Sequence, residues 1–282
     1  MATWVIIGAG YTGGQLAERL VRSGEDVIVT RRQASIAAEA AQALMPPGGR
    51  LHSGKVRGVA VDLGDAATIA GVIPDDAIVV STAPPGEDPV AEIATLVAAA
   101  HSAARIIYVS STGVYGPAAG AWVDETAPIA PITKSGRARA AAEAALGSHG
   151  VALRVAGIHG PGRGLVDRIR AGTYRIVGDG SAHVSRVHVV DLVDAIVRAG
   201  TSKIAGPINI ADDDPAPIGE VADAVAAHFG LPPPPRVPAD SVDPEVAGML
   251  TADRRIANRR MKEELGVELH YPSWRSVLSG GA

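Results

Sequence analysis

Three glycines near the start of the chain have a spacing that suits phosphate binding. Gly8, Gly10 and Gly13 form a G-x-G-x-x-G pattern between the apolar run Trp4 to Ile7 and a segment with helical spacing of leucines. This order indicates a buried strand, a tight turn and a helix N-terminus, whose free N–H groups face phosphates. Gly8 permits the turn, Gly10 leaves room for a pyrophosphate, and Gly13 lets the helix approach its strand. A glycine turn in another kind of α/β protein is the alternative.

Two arginines follow the second predicted strand, Asp26 to Thr30. In dinucleotide-binding folds this strand end faces the adenosine ribose, where an acidic residue would bind the 2′-hydroxyl of NAD. Arg31 and Arg32 stand there instead, with no carboxylate beside them. Arginine matches a 2′-phosphate in charge and in fork geometry, so the pair predicts NADP as the cofactor, with NAD as the alternative. A solvated pair of surface arginines would look the same in the sequence.

Other predicted cofactor contacts follow later strands. Asp62 comes after the third strand, Val56 to Val61, where a carboxylate either accepts from the adenine amino group or caps the next helix. Small residues after the fourth strand, Ala77 to Val80, let the chain pass close to a cofactor. The predicted cofactor-binding set is Gly8, Gly10, Tyr11, Thr12, Gly13, Arg31, Arg32, Asp62, Leu63, Thr82, Ala83 and Pro84.

Composition excludes several classes of function. The chain has 282 residues, 47 % of them hydrophobic, a formal net charge of −4 and no cysteine. Disulfides, thiolate catalysis and cysteine-ligated metal sites are therefore excluded, and no other metal-ligand spacing is present. The charge gives no reason to expect nucleic acid or membrane as a partner. No basic segment precedes the first apolar run, so we expect a cytoplasmic protein with a small-molecule substrate.

Strands alternate with helices over the first 110 residues. The fifth strand, Arg105 to Val109, follows a long helix predicted over Pro89 to Ala104, and an alanine-rich helix over Ala34 to Leu44 ends at Pro46 to Gly49. Such alternation predicts an α/β fold, a doubly wound parallel sheet of the Rossmann type. Ligands then bind at the carboxyl ends of the strands, where all the residues named above lie.

Later segments resemble the NAD-dependent epimerase/dehydratase family, the extended branch of the short-chain dehydrogenase/reductases. They are S-S-T-G-V-Y-G (110–116), L-R-V-A-G-I-H-G-P-G-R (153–163), G-D-G-S-A-H-V-S-R-V-H-V-V-D-L (178–192) and P-I-N-I-A (207–211). Together with the glycine pattern and the D-L after the third strand, they follow the family order. The resemblance covers nearly the whole chain.

The resemblance implies two domains. Residues 1–157 and 186–211 would form the dinucleotide-binding domain, and 158–185 with 212–282 a small, discontinuous C-terminal substrate domain. In the latter we predict a helix over Ile218 to Phe229, an edge strand over Arg236 to Pro238, a basic helix over Ala252 to Leu265, and Trp274 packing the tail. The family often dimerises through two helices, here Pro89 to Ala104 and Ser135 to His149, so a homodimer is implied.

One departure from the family concerns its reaction centre, a Tyr-x-x-x-Lys pair within Y-x-x-x-K-x-x-x-E. The matching stretch here is S-G-R-A-R-A-A-A-E, which places Ser135 on the tyrosine, Arg139 on the lysine and Glu143 on the glutamate. A serine alcohol is a far weaker acid than a phenol and suits proton transfer poorly. Arg139 can still donate to ribose hydroxyls of the cofactor, and by the family match Ser111 polarises the substrate oxygen.

Several other residues are candidates for the missing proton donor or for substrate binding. Lys134 precedes Ser135, and Tyr115 lies after the fifth strand, although the family's tyrosine at that place is usually structural. A histidine has the pKa that proton transfer needs, but a lone histidine is more often a structural hydrogen-bonding residue. The predicted catalytic set is Ser111, Thr112, Tyr115, Lys134, Ser135 and Arg139, and the predicted substrate set is His159, Arg163, Arg186 and His188.

Three functions fit this pattern. The first is an NADP-dependent oxidoreductase or epimerase that acts on a small carbonyl, hydroxyl or sugar-like substrate with a non-standard acid/base. The second is a nucleotide-sugar epimerase or dehydratase, because Arg163, Arg186 and the basic tail would suit an anionic substrate. The third is an inactive NADP-binding sensor or scaffold, which the loss of the tyrosine suggests.

Overall fold

The computed structural model describes residues 2–45 and 54–278. The turn predicted at Pro46 to Gly49 lies outside the described residues. The strands are β1 Thr3–Ile7, β2 Asp26–Arg31, β3 Val56–Ala60, β4 Ile78–Ser81, β5 Arg105–Ser111, β6 Trp122–Val123, β7 Val151–Val155, β8 Gly157–His159, β9 Ile176–Val177, β10 His183–Val184, β11 Arg186–His188, β12 Ile208–Ile210, β13 Ala216–Pro217, β14 Arg236–Val237 and β15 Arg255–Ile256. The α-helices are α1 Tyr11–Arg22, α2 Ala34–Ala43, α3 Ala66–Ile69, α4 Pro89–Ala99, α5 Lys134–Leu146, α6 Leu165–Arg170, α7 Val189–Thr201, α8 Ile218–His228, α9 Pro244–Leu250 and α10 Arg259–Glu263.

Seven strands form the central parallel sheet, in the order β12-β7-β5-β4-β1-β2-β3. Strands β2 and β3 follow β1 on one side of it in the sheet. The chain then returns, and β4 pairs with β1 on its other side. Strand β1 therefore stands at the point where the strand order reverses, the place where open α/β sheets bind ligands. The predicted fold class, a doubly wound parallel sheet of the Rossmann type, is confirmed.

By compactness the described chain divides into two units. Unit 1 comprises Met1–Ser110, Ala141–Leu153 and Val193–Pro207. The apolar strands β1 and β4 supply its core, because residues such as Val5 and Val79 are fully buried. Gly200 of α7 packs against this core with no room for a side chain, since a Cβ there would lie 2.3 Å from the Trp4 ring.

Unit 2 comprises Ser111–Ala140, Arg154–Leu192 and Ile208–Ala282. It contains short strand pairs: β6 with β15, β8 with β11, β9 with β14, and β10 with β13. An apolar cluster of this unit includes Ile176, Val221 and Trp274, so the tail is packed down by Trp274 as predicted. This compactness division groups 111–140 with the second unit, and the two domains expected from the sequence stay a prediction.

Two predicted helices have different bounds in the structure. Helix α4 ends at Ala99 rather than at Ala104, because the chain turns at His101 and Ser102. After this turn the Ala104 N–H donates to the Ala77 carbonyl, and β5 begins at the next residue. Helix α5 spans Lys134–Leu146, and the residues up to His149 form a 3-10 turn instead.

The basic helix predicted over Ala252 to Leu265 is wrong. Asp253 has φ +45°, a left-handed conformation that no α-helix contains. Its carboxylate accepts from the backbone N–H of His183 at 2.8 Å, which fixes this turn. The chain then forms β15, which pairs with β6, and only α10 is helical. Tertiary pairing therefore overrides the helical spacing of the basic residues.

Within residues 2–45 and 54–278, no helix combines the length and the apolar character that crossing a membrane requires.

We predict that Gly8→Ala destabilises the protein while Gly14→Ala does not. Gly8 has φ +84°, and an added Cβ would lie 2.8 Å from the Ala83 backbone, whereas a Cβ at Gly14 meets nothing within 4 Å. The left-handed conformation alone costs about 1–2 kcal/mol with a side chain. At Gly14, inside α1, alanine should stabilise by about 0.5–1 kcal/mol. Urea unfolding of both variants measures the difference, and equal stabilities would contradict it.

Candidate functional site

The glycine turn of unit 1 is held by short contacts that leave one side open. Gly13 cannot carry a side chain, because a Cβ there would lie 2.8 Å from Thr82 Oγ1 and 2.9 Å from the Gly8 carbonyl. Thr82 Oγ1 donates to that same carbonyl at 2.6 Å, and the Gly8 N–H donates to Thr30 Oγ1 at 3.2 Å. Gly10 differs, since among the described residues a Cβ there would have only the Gly8 carbonyl and Arg31 within 4 Å. The turn is thus closed toward the sheet and open in front of Gly10.

Arg31 lies at the open side of the turn. Its Nη1 is 4.0 Å from the position that a Cβ would take at Gly10. The Nε atom is buried and has no hydrogen-bond partner among the residues that the structure describes. Arg32 follows the end of β2 and is exposed. Of the two arginines, Arg31 is therefore the one placed beside the glycine turn.

Asp62 forms a turn. Its Oδ1 accepts from the Gly64 N–H at 3.0 Å, while Asp65 caps helix α3 through the Ala67 N–H. The helix-cap role considered for Asp62 thus belongs to Asp65. Leu63 packs against the core of unit 1. The remaining predicted cofactor residues stand at the same strand ends: Tyr11 and Thr12 in the first turn of α1, and Ala83 and Pro84 after β4.

In unit 2, two of the predicted catalytic segments are brought together by a pair of glycines. Ser111 ends β5, and its Oγ accepts from the Gly113 N–H at 3.0 Å, while Thr112 begins a buried 3-10 turn. A Cβ at Gly136 would lie 2.3 Å from the Gly113 carbonyl, so the first turn of α5 lies directly against this loop. Ser111 and Ser135, the neighbour of Gly136, therefore stand on either side of this glycine contact.

Glu245 holds the start of helix α5. It belongs to α9 and accepts from the Ser135 hydroxyl at 2.9 Å and from the Ser135 N–H at 3.3 Å. It also accepts from the Lys134 N–H, while Thr133 Oγ1 accepts from the Gly136 N–H. Three N–H groups that a helix N-terminus leaves unpaired are thus satisfied by two side chains. The serine that replaces the family tyrosine is bonded to a carboxylate.

Lys134 and Arg139 are the basic residues of α5 that belong to the predicted catalytic set. The Lys134 side chain is exposed, and Arg139 lies one turn further along, half-buried.

Tyr115 has a different environment from the other predicted catalytic residues. Its hydroxyl is buried, donates to Asn209 Oδ1 at 2.8 Å and accepts from Arg154 Nη1 at 2.9 Å. Burial raises the pKa of Tyr115, against the hydrogen bond and charge of Arg154. The phenol is a bonded part of the core of unit 2, and this geometry favours a structural role.

The two predicted substrate histidines face each other across a strand pair. His159 on β8 and His188 on β11 are register partners, with ring centroids 5.2 Å apart. The Val190 N–H donates to His188 Nδ1 at 3.3 Å, so the neutral ring carries its proton on Nε2. Neither Nε2 atom has a hydrogen-bond partner in the described part of the chain. Burial lowers the pKa of His159 to about 4, helped by the charges of His188 and Arg186.

Arg186 lies on the same strand as His188, two residues away and hence on the same face. Burial lowers its pKa, against the carboxylates of Asp212 and Asp214. Burial also raises the pKa of the Asp212 carboxyl to about 7, although Arg186 opposes this. Both Asp212 oxygens are buried and find no hydrogen-bond partner among the described residues. Arg163 is exposed, in the turn before α6.

Comparison with known proteins identifies the family. A model of the NAD dependent epimerase/dehydratase family matches residues 4–211, well over half of the chain. The chain belongs to this family.

Three proteins are similar to this family member. A 3-diazoavenalumate denitrifying reductase of Streptomyces sp is 34 % identical over 140 residues, which is 46 % of this chain and 46 % of that protein, so the match spans less than half of its length. A solved structure of a functionally unknown conserved protein from Silicibacter pomeroyi is 30 % identical, with TM-score 0.82 over 99 % of this chain and 98 % of that one. The human epimerase family protein SDR39U1, solved with NADPH, shares the fold at 18 % identity and TM-score 0.76, over 100 % and 99 % of the two chains.

Sequence reasoning missed Glu245 and Asp212. The D-P-E of 243–245 indicates a helix start, because Asp caps helices and Pro suits their first position. Nothing in that pattern shows that Glu245 reaches Ser135, 110 residues earlier in the chain. Asp212 follows the family's last core strand, and only the fold shows that it is buried near Arg186.

We predict opposite pH dependences of stability for two variants of the buried cluster. Between about pH 4 and 7 folded Asp212 keeps a proton that the unfolded chain has lost, so its contribution to stability falls as pH rises. Between about pH 4 and 6.5 unfolded His159 holds a proton that the folded state lacks, so stability rises with pH. Burial lowers the pKa of His188 too, which adds to the second effect.

The free energy of unfolding of Asp212→Asn should therefore rise from pH 4 to 6.5. That of His159→Asn should rise less than in the parent over the same range, or fall. One proton changes the slope by at most about 1.4 kcal/mol per pH unit. Urea unfolding at several pH values measures both slopes. Asp167→Asn, an exposed carboxylate on α6, is the control and should keep the parent profile. If all three variants keep that profile, the two groups do not titrate as stated.

Proposed function

We propose that this family member is an NADP-dependent oxidoreductase or epimerase that acts on a small carbonyl, hydroxyl or sugar-like substrate with a non-standard acid/base. The observation that carries the proposal is the position of Arg31 at the open side of the glycine turn. A cationic side chain beside the turn gives NADP(H) an advantage over NAD(H), because the two differ by one 2′-phosphate.

The residues of the turn fit a dinucleotide. Gly10 precedes α1, and no side chain in the described part of the chain caps this helix, so its first N–H groups are available to a pyrophosphate. Gly8 and Gly13 tolerate no side chain, which keeps the turn narrow. A bound nicotinamide would supply hydride transfer. The human protein SDR39U1, which shares only the fold, was solved with NADPH, so this fold can hold that cofactor.

The residues of unit 2 favour chemistry without the family's phenol. Ser111 keeps the hydroxyl that the family uses to polarise a substrate oxygen, and Arg139 keeps a cation in place of the lysine. Tyr115 is bonded into the core, so it is a poor candidate for the missing acid. The Streptomyces relative, named a reductase that acts on a diazo compound, supports oxidoreduction as the reaction class.

The same residues bear on the other two candidate functions, a nucleotide-sugar epimerase or dehydratase and an inactive NADP-binding sensor or scaffold. Arg186 is half-buried and interacts with the carboxylates of Asp212 and Asp214, so it supports a nucleotide-sugar diphosphate less than the sequence alone suggests. A sensor or scaffold without activity would bind NADP equally well, and only hydride transfer separates it from an enzyme. Cytoplasmic location and a homodimer remain part of the proposal, and light scattering at micromolar concentration tests the dimer.

We predict that the protein binds NADPH more tightly than NADH and that Arg31→Asp removes this preference. A hydrogen bond to a charged group contributes about 1.5–3 kcal/mol, which corresponds to about ten- to a hundredfold in affinity. Calorimetry at low salt measures both dissociation constants. Arg57→Asp, on the exposed side of β3, makes the same charge change away from the turn and should keep the preference. Equal affinities in the unmodified protein would contradict the proposal.

We further expect hydride transfer between NADPH and at least one member of a panel of carbonyls, nucleotide sugars and diazo-substituted aromatic acids. Nicotinamide absorbance measures the transfer in both directions with the corresponding alcohols. If NADPH binds tightly and no compound changes its absorbance, the sensor function replaces the enzyme.

A further inference from the structure

Glu245 approaches Ser135, which stands where the family's reaction centre has its tyrosine. We propose that Ser135 and Glu245 form a proton-transfer pair that takes the place of the missing tyrosine, with Glu245 as the proton acceptor and Ser135 as the relay. The inference rests on the proposed function, because it names the acid/base of the same reaction.

The first argument is geometric. Ser135 Oγ and Glu245 Oε2 are 2.9 Å apart, a normal hydrogen-bond distance in which the hydroxyl donates. Ser135 is exposed and Glu245 only partly buried, so a small molecule can reach the serine hydroxyl. The carboxylate is also fixed: its oxygens accept from two backbone N–H groups of α5. A held carboxylate beside an accessible hydroxyl is the arrangement that a relay needs.

The second argument concerns the neighbourhood of the pair. Helix α9 packs on the segment before α5, because a Cβ at Gly248 would lie 2.8 Å from Thr133 Cγ2. Gly136 lies against Gly113, whose N–H donates to Ser111 Oγ. The carboxylate, the serine relay and the hydroxyl that would polarise a substrate oxygen thus belong to one set of contacts within unit 2.

Electrostatics keep Glu245 ionised at neutral pH. Partial burial opposes its ionisation, but the hydrogen bonds from Ser135 and Lys134 outweigh this and lower its pKa. The charge of Arg137 on α5 acts in the same direction. The other charged groups nearby in the chain are the Lys134 side chain and Asp243, which caps α9 through the Glu245 N–H. At neutral pH the pair is therefore ready to accept a proton from an alcohol.

The proton balance follows from these roles. In the oxidation of an alcohol, a bound oxidised nicotinamide would accept the hydride of the carbinol C–H bond, and the residues of the pair would take the proton. The substrate O–H proton moves to Ser135 Oγ, the Ser135 proton moves to Glu245, and the carbonyl forms. Reduction runs the same transfers backward and needs protonated Glu245. Its rate should fall about tenfold per pH unit above the pKa of Glu245.

A capping carboxylate without catalytic function would make the same backbone contacts, so the variants must separate the two roles. Glu245→Gln keeps an amide oxygen that accepts from a backbone N–H but removes the proton acceptor. Glu245→Asp keeps the acceptor on a shorter side chain. Glu263→Gln, an exposed carboxylate of α10, is the control for the loss of one surface charge.

The first measurement needs no activity. Carbon-13 labelling of glutamate follows the titration of the Glu245 carboxyl by NMR, with Glu245→Gln identifying its signal. Ser135→Ala should raise the Glu245 pKa, because a hydrogen bond to the ionised form is lost. Ser241→Ala, whose hydroxyl bonds the Pro238 carbonyl instead, should leave it unchanged. An unchanged pKa in Ser135→Ala would show that the hydroxyl does not bond Glu245, and would overturn the relay.

The second measurement is the pH profile of hydride transfer with a substrate from the panel above. We expect Glu245→Gln to lower kcat by about 10²- to 10⁴-fold and to remove the fall of the reduction rate between pH 6 and 8. Glu245→Asp should restore part of the rate together with the pH dependence, and Glu263→Gln should match the parent.

The outcomes are distinct. Hydride transfer with an unchanged pH profile in Glu245→Gln would refute the relay and leave the proposed function intact. A loss of stability in urea unfolding with normal kcat would mean that Glu245 is a helix cap only. Failure of the whole panel would overturn the proposed function and the relay with it.

Discussion

The contact of the Gly8–Gly13 turn with the residues after β4 is the constraint on which unit 1 depends. Gly8 adopts a left-handed conformation with Ala83 against it, and Thr82 Oγ1 bonds its carbonyl. Any side chain at Gly8 or Gly13 would occupy space that the backbone already fills. Because β1 and β4 are neighbours in the sheet, this packing also sets where helix α1 begins. The open side before Gly10 is what remains for a ligand.

Unit 2 depends in a similar way on the start of helix α5. A helix N-terminus leaves four N–H groups without an intrahelical partner, and here the side chains of Thr133 and Glu245 accept from three of them. Gly136 then permits contact with the loop after β5. The residue at the family's tyrosine position is thus fixed by a carboxylate on α9.

The polar groups around Arg186 carry a desolvation cost. A cation, a carboxyl and two imidazoles lie in or next to β11 with few hydrogen bonds among them. Burial disfavours every charged form, so the pKa of the carboxyl rises and those of the histidines and Arg186 fall. The groups act on one another: Arg186 favours the ionised carboxyl and the neutral histidine. Stability of this unit is consequently linked to pH within the neutral to acidic range.

The sequence by itself determined the class of fold, the glycine turn and the family, because these depend on local spacing: a β-branched run, three glycines and a helical pattern suffice. It also identified the Arg31–Arg32 pair as a candidate phosphate site and Ser135 as a departure from the family's reaction centre. It could not distinguish Arg31 from Arg32, nor tell that Tyr115 is bonded to Asn209 and Arg154. It predicted a helix where Asp253 has positive φ and β15 pairs with β6. Only tertiary structure decided these points, since long-range pairing and burial are set by segments distant in the chain. The approach of Glu245 to Ser135 is the clearest case: no local pattern encodes a contact between residues 110 positions apart.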